Sequence, residues 1–346
     1  MGKRKICKIV FVILSIFLCV AFYELFGICI AYKKQPEVSN TIKKETQNDS
    51  WNERSENMER AVIIEKNPEA LLQRVRLIRN AKEDIILSTF AFQSDESGKL
   101  ILGALHDAAD RGVHIRLLVD GMESWIDMEG NPYFYGLSSH ENVEIKLYNK
   151  ANPLKPWKMM GRMHDKYLIA DGKTYILGGR NTYNYFLGDF LGHKNYDRDV
   201  LVVCDEPEKE NSVNQLLEYF ETIWEQEDSG YFHDNKKLAN RKSVKNAVLE
   251  LQNGYQKYFE ENKERICDTD YTDETFETEK IALVSNPIHT GPKEPVVWYQ
   301  LGELMKNAKE RVKIHTPYII CNDMMYNTWK EIAERVPDFS IMTNSV

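Results

Sequence analysis

Residues 166–179, KYLIADGKTYILGG, constrain the fold of this chain more than any other stretch. Two β-prone apolar runs flank Asp171-Gly172, and Asp-Gly between such runs is the strongest short-range hairpin signal. The pattern predicts antiparallel strands at about 164–170 and 174–179. Alternate residues of a strand share a face, so His164 and Lys166 point the same way. A turn at Asp171-Gly172 returns Asn181 to the His164 end. His164, Lys166 and Asn181 are therefore expected to meet at the open mouth, beside Gly178 and Gly179, where missing side chains let backbone come close. Asp171 falls at the turn, on the order of 20 Å away at about 3.3 Å per residue. Its expected role is structural, through turn hydrogen bonds or an ion pair on the far side.

An imidazole, an ammonium, a carboxamide and two glycines suit a phosphate. Histidine can attack phosphorus or move a proton near neutral pH. Lysine and asparagine can hold non-bridging oxygens as negative charge develops. Zinc is a poor reading of His-x-Lys, because a protonated amine has no lone pair to offer a metal. The plain alternative is a hairpin with an exposed histidine and lysine. It weakens once the whole pattern H-x-K-x4-D-x6-G-G-x-N is counted, since chance produces that spacing in roughly one chain in 10^5 of this length.

His164, Lys166, Asp171, Gly178, Gly179 and Asn181 resemble the HKD motif of the phospholipase D superfamily at every position. The stretches DESGKLILGALHDAADRGVHIRLLVDG (95–121), GRMHDKYLIADG (161–172) and NYDRDVLVV (195–203) resemble one branch of it, the bacterial cardiolipin synthases and related membrane-anchored proteins. The resemblance covers about 60–226 well and 281–346 in part. It implies an α/β fold, a phospholipase D-like α-β-α sandwich. It implies a catalytic set of His164, Lys166 and Asp171, with Asn181, Gly178 and Gly179 about the substrate phosphate. The implied reaction is a two-step exchange through a phosphohistidine, with a second histidine from a second motif protonating the leaving alcohol. No metal or other cofactor is implied. An acidic residue is also implied near the site; Asp197 and Asp199 are the candidates for holding the other ring nitrogen, and Asp199 is preferred. The plainer reading of Asp199 is an exposed acid opening a strand.

The chain has one such motif: of its eight histidines, only His164 is followed by x-Lys. An internal repeat explains this. Leu77, Asn80, Ala81, Lys82 and Glu83 recur as Leu304, Asn307, Ala308, Lys309 and Glu310, and residues 108–120 align with 332–344. The same offset from His164 puts a second histidine near 388–391, past Val346. One complete repeat and a partial second are thus expected, the front portion of a longer protein. A second copy of the chain could bring another His164, but the partial repeat is expected to occupy the place where that copy would dock.

Strands are expected at 60–65, 85–91, 113–119, 142–148 and 199–204, and helices at about 68–82, 97–111 and 211–226, with a Gly- and Pro-containing loop over 121–137. Alternation of strands and helices indicates an α/β sandwich. The expected layout is an anchor at 6–32, a polar linker at 33–58, a first phospholipase D-like domain at 59–227, a charged interdomain linker with a helix at 228–280, and a partial second domain at 281–346. The acidic run DTDYTDETFETEK (268–280) reads as a solvated linker.

Ile9–Ala31 is apolar apart from Ser15 and Glu24, long enough to cross a bilayer as a helix, and flanked by basic residues. A cleaved signal peptide is the competing reading. An uncleaved single-pass anchor in the cell membrane is favoured, with its orientation open because lysines lie on both sides. The net charge of −8 argues mildly against a general nucleic-acid binder. Locally, Lys150, Lys155, Lys158, Arg162 and Lys166 face one acid, Asp165. This basic loop, tipped by Trp157, Met159 and Met160, is expected to meet anionic head groups. Six scattered cysteines without a C-x-x-C give no disulfide framework or metal site.

The favoured reading is a membrane-bound phosphatidyltransferase of the cardiolipin-synthase kind, or a phospholipase D, acting on anionic phospholipids. The chain alone is expected to be inactive without a second motif, supplied by a missing repeat or a dimer partner. The alternatives are a nuclease or other phosphodiesterase on the same scaffold, and a non-catalytic lipid-binding fragment.

Overall fold

The computed structural model describes residues 3–48, 59–204, 206, 211–233 and 235–344. It opens with an apolar helix, α1 (Lys3–Tyr32), of which Lys8–Tyr32 is long and apolar enough to cross a membrane. A second helix, α2 (Asn40–Asn48), follows, where a structureless linker was expected. Ser39 supplies the missing signal: its Oγ accepts the Ile42 N–H at 3.3 Å, an N-cap that starts the helix. The rest of that linker, 49–58, lies outside the described residues.

Two compact units result. One holds residues 3–31 and those described between 59 and 282; the other holds 32–48 and 283–344. The larger unit alternates β1 (Glu59–Ile64), α3 (Asn67–Asn80), β2 (Asp84–Thr89), α4 (Glu96–Asp110) and β3 (His114–Asp120), as predicted. The expected loop after β3 folds two short helices, α5 (Trp125–Met128) and α6 (Pro132–Ser138). Asn131 starts α6, its Oδ1 taking the Tyr133 N–H at 3.1 Å. Then come β4 (Val143–Tyr148), the hairpin β5 (Lys166–Ala170) and β6 (Thr174–Gly178), β7 (Asp199–Cys204) and α7 (Ser212–Trp224).

Residues 228–280, expected as a charged interdomain linker with a helix, carry that helix and more. They form β8 (Ser229–Tyr231), α8 (Lys242–Glu261), α9 (Lys263–Cys267) and β9 (Phe276–Glu277), all within the larger unit. β8 extends the sheet beside β4, and β9 pairs with β1. The acidic run is held by a buried cation: Arg76 donates to the carbonyls of Asp268 and Asp270 (2.8 and 2.9 Å) and to the Glu274 carboxylate (2.9 Å), and stacks over Tyr271. One buried guanidinium needs several acceptors, and the run provides them.

The sheet has nine strands in the order β8-β4-β3-β2-β5-β6-β7-β1-β9, parallel through β2, β3 and β4 and antiparallel elsewhere. Alternate residues go to opposite faces. Leu87, Ile115, Leu117, Ile145 and Leu168 join α3, α4, α6 and α8 in one apolar core. Arg116 on the other face pairs with Glu221 of α7 at 2.6 Å and lies over Phe220. Helices therefore cover both faces, the expected α-β-α sandwich. Because β5 runs antiparallel to β2, the C-terminal ends of β2, β3, β4 and β6 share one edge with the N-terminal ends of β5 and β7. The smaller unit contains α10 (Val296–Lys306), β10 (Arg311–His315), α11 (Asp323–Arg335) and β11 (Asp338–Met342). Its two strands are parallel, and its helix–strand–helix–strand order repeats that of α3 through β3.

Candidate active site

The hairpin turn is built by Asp171 and Gly172, both at positive φ (52° and 57°). That is the geometry for which Asp-Gly is suited. The Asp171 carboxylate accepts the backbone N–H groups of Lys82, Glu83 and Asp84 at 2.8–3.1 Å, and its own N–H donates to Asp84 O at 3.0 Å. Asp171 thus pins the hairpin tip to the start of β2. The catalytic placement implied by the motif is corrected for this residue: its oxygens are engaged at the opposite end of the strands from His164.

At the mouth, Lys166 pairs in register with Thr89, the last residue of β2. The next residues, Phe90 and Ala91, organise the site. The Phe90 ring lies 4.7 Å from the His164 ring, centroid to centroid, and 5.3 Å from the Lys166 ammonium. The Ala91 N–H donates to Asn181 Oδ1 at 3.2 Å, which leaves the amide's Nδ2 as its donor side. Lys166 Nζ donates to the His164 carbonyl at 2.7 Å. One short segment after β2 therefore touches all three residues predicted to meet.

The electrostatics follow from this packing. Lys166 is only 5% exposed, and burial lowers its ammonium from 10.5 to about 8, against the opposing pull of Asp165 and Asp197. His164 stays exposed at the mouth. Partial burial first, and the Lys166 charge second, hold its imidazole below the usual histidine value. The ring is then neutral at pH 7 and free to act as a nucleophile.

Asp199 is not placed as expected. Its carboxylate, fully buried, pairs with Arg74 at 2.9 Å and Arg180 at 3.1 Å. Arg180 is itself buried and also donates to Asn67 Oδ1, to the carbonyls of Ile64 and Glu65, and to Asp197 O. This knot ties β7 to the loop after β6 and the start of α3. Among the described residues, neither ring nitrogen of His164 has a hydrogen-bond partner. Gly178 and Gly179 are in addition required by the chain that leads into β7. A Cβ on Gly178 would run into the Asp199 carboxylate and stand 2.6 Å from Arg198 O; one on Gly179 would strike the Asp197 carboxylate.

One residue escaped sequence reasoning. Asp120, at the C-terminal end of β3, is buried and binds Arg162 at 3.0 Å and the Met163 N–H at 3.1 Å. It also takes the Met122 and Glu123 N–H groups at 3.0 and 3.1 Å. It thereby fixes the path of the chain into His164. Its position, an acid ending a central parallel strand, was the signal available. Asp197, the other acidic candidate from the sequence, lies above Gly179 and supplies negative charge to Lys166. The expected basic loop is also largely satisfied from within: Lys158 pairs with Asp228 at 2.6 Å, Arg162 with Asp120, and Lys150 donates to Tyr231 O at 2.8 Å.

A family model described as "Cardiolipin synthase, PLD-like domain" matches residues 74–224, the segment that contains this site. The match supports the phospholipase D superfamily for the segment that carries the site. Among the chain's relatives, an uncharacterized protein of Helicobacter pylori strain 26695 is 27% identical over 83% of the chain and 59% of its own length. Cardiolipin synthase C of Escherichia coli K12 is 29% identical over 45% of the chain and 34% of its own length. The chain thus spans little more than half of the first of these relatives. The crystal structure of phosphatidylserine synthase from Haemophilus influenzae superposes with a TM-score of 0.52 at 16% identity, covering 88% of this chain and 66% of that one. This last likeness is one of fold.

Proposed function

We propose that this site exchanges phosphodiester bonds of anionic phospholipids through a phosphohistidine on His164. The observation that carries the reading is the accessible imidazole of His164 beside the buried Lys166, both against Phe90, with burial holding the imidazole below its usual value. A ring nitrogen of His164 attacks phosphorus, and the P–O bond to the leaving alcohol breaks. Lys166 and the Asn181 Nδ2 hold the non-bridging oxygens as charge develops on them. Water or a second alcohol then displaces the histidine, as hydrolysis or transfer. The leaving alcohol needs a proton, and within these 346 residues no second His-x-Lys occurs. A second such pair, from further sequence or another copy, serves as the acid in this reading. Names of relatives that include cardiolipin synthases support a lipid substrate, and an anchor formed by α1 would bring the site to it.

The test uses the chain supplied with a second His-x-Lys repeat, and phosphatidylglycerol radiolabelled at phosphorus, quenched in base, which preserves a phosphorus–nitrogen bond. Label on the protein that is lost in acid, survives chelator and disappears in His164→Ala is the expected result. Label persisting in His164→Ala refutes the role. Cleavage of single-stranded DNA without lipid turnover would reassign the site to a nuclease.

A further inference from the structure

Among the connections that leave the sheet at the edge carrying His164 are residues 121–142, 149–165 and 179–198. Their tips are apolar and exposed. Ile126 is 77% exposed, Leu154 76% and Tyr196 73%, with Trp157, Met160 and Leu191 also exposed. Connections at the opposite edge read AKE (81–83), RGV (111–113) and DGK (171–173), charged and short. Among these connections, the apolar tips lie on the side of the site.

A second observation says what they face. Helix α1 lies against the tip of the 149–165 connection. Tyr23 Oη donates to Leu154 O at 2.8 Å, and Gly27 lies under Pro156, so close that a Cβ there would stand 2.5 Å from the proline Cγ. At 1.5 Å rise per residue, Gly27 lies about 7 Å and Tyr23 about 13 Å along the axis from Tyr32, where the apolar span ends. A helix that crosses a bilayer carries this tip to the depth where head groups give way to acyl chains. Leucine, tryptophan and methionine belong at that depth. Lys155, between Leu154 and Pro156, is exposed and has no ion pair among the described residues. Its stem can lie along the apolar layer while its charge reaches lipid phosphates.

We propose that the loop tips around His164 insert into the head-group boundary of an anionic bilayer, docked against α1, so that the site opens onto the membrane plane and takes its phosphodiester without extracting the lipid. The inference rests on reading α1 as an anchor and the site as one for phospholipid.

The experiment uses the full chain, supplied with a second His-x-Lys repeat, in vesicles of equal parts phosphatidylglycerol and phosphatidylcholine. An environment-sensitive fluorophore is placed at Leu154→Cys or, as control, at Leu249→Cys on α8, in a background with the native cysteines replaced by serine. Lipids labelled with nitroxide near the head group act as quenchers. The Leu154 probe is expected to shift to the blue and be quenched, while the Leu249 probe stays in water. Leu154→Glu with Trp157→Glu is expected to lower vesicle-lipid turnover about tenfold while leaving turnover of a soluble short-chain phosphodiester unchanged. An unquenched Leu154 probe in vesicle-bound protein refutes the docking, whether or not lipid is turned over. A quenched Leu154 probe without lipid turnover upholds the docking and refutes the reading of the site.

Discussion

Replacing Lys166 by methionine should stabilise the fold while slowing chemistry. Burial lowers the ammonium from its ordinary 10.5 to about 8. At about 1.36 kcal/mol for each tenfold loss of proton affinity, holding the charge in the folded state at neutral pH costs about 3 kcal/mol. The lysine returns part of this through its hydrogen bond to His164 O, contributing about 1.5 kcal/mol. Lys166→Met is therefore expected to gain about 1–2 kcal/mol at neutral pH, a rise in Tm of roughly 3–6 °C for a unit of this size. The sign with pH is defined. Below about 8 folded and unfolded chains both hold the proton, and the folded state bears the full penalty. Between about 8 and 10.5 the folded chain has released it and the unfolded chain has not, so wild-type stability from this group rises with pH. Thermal melts of wild type and variant at about pH 7 and about pH 9.5 should show the advantage of Lys166→Met at the lower pH and its disappearance at the higher. Turnover should fall by about 10^2–10^3, the usual effect of one oxyanion donor. A variant less stable than wild type at neutral pH, or one whose advantage is the same at both, would refute the argument that Lys166 is held charged against the preference of its surroundings.

Two further outcomes follow from the geometry. Asp171→Asn keeps the shape but removes the charge that accepts three backbone N–H groups, and should lower stability by about 1–3 kcal/mol, read from denaturant midpoints, with phosphoryl transfer per folded molecule unchanged. Asp199→Asn strands two buried guanidinium groups, and should destabilise by about 3–5 kcal/mol; a loss of activity without loss of stability would instead place Asp199 on His164.

The hairpin and its mouth were legible in the sequence because their determinants are local. Asp171-Gly172 defines the turn, the two-residue period sets the faces, and the distance of Asp171 from His164 follows by counting. The α/β alternation was legible for the same reason: each strand and helix carries its own periodicity. What only the tertiary structure decided is which partner each buried charge found. Asp199 could be ranked by position near the motif, but Arg74 of α3 and Arg180 reach it through the fold, and no spacing rule records that. Arg76 likewise turned the acidic stretch 268–280 from an apparent linker into an edge of the sheet. Short-range patterns encode backbone conformation; the pairing of a buried ion depends on which chemically equivalent partner the packed chain brings within reach, and that is settled only when distant segments meet.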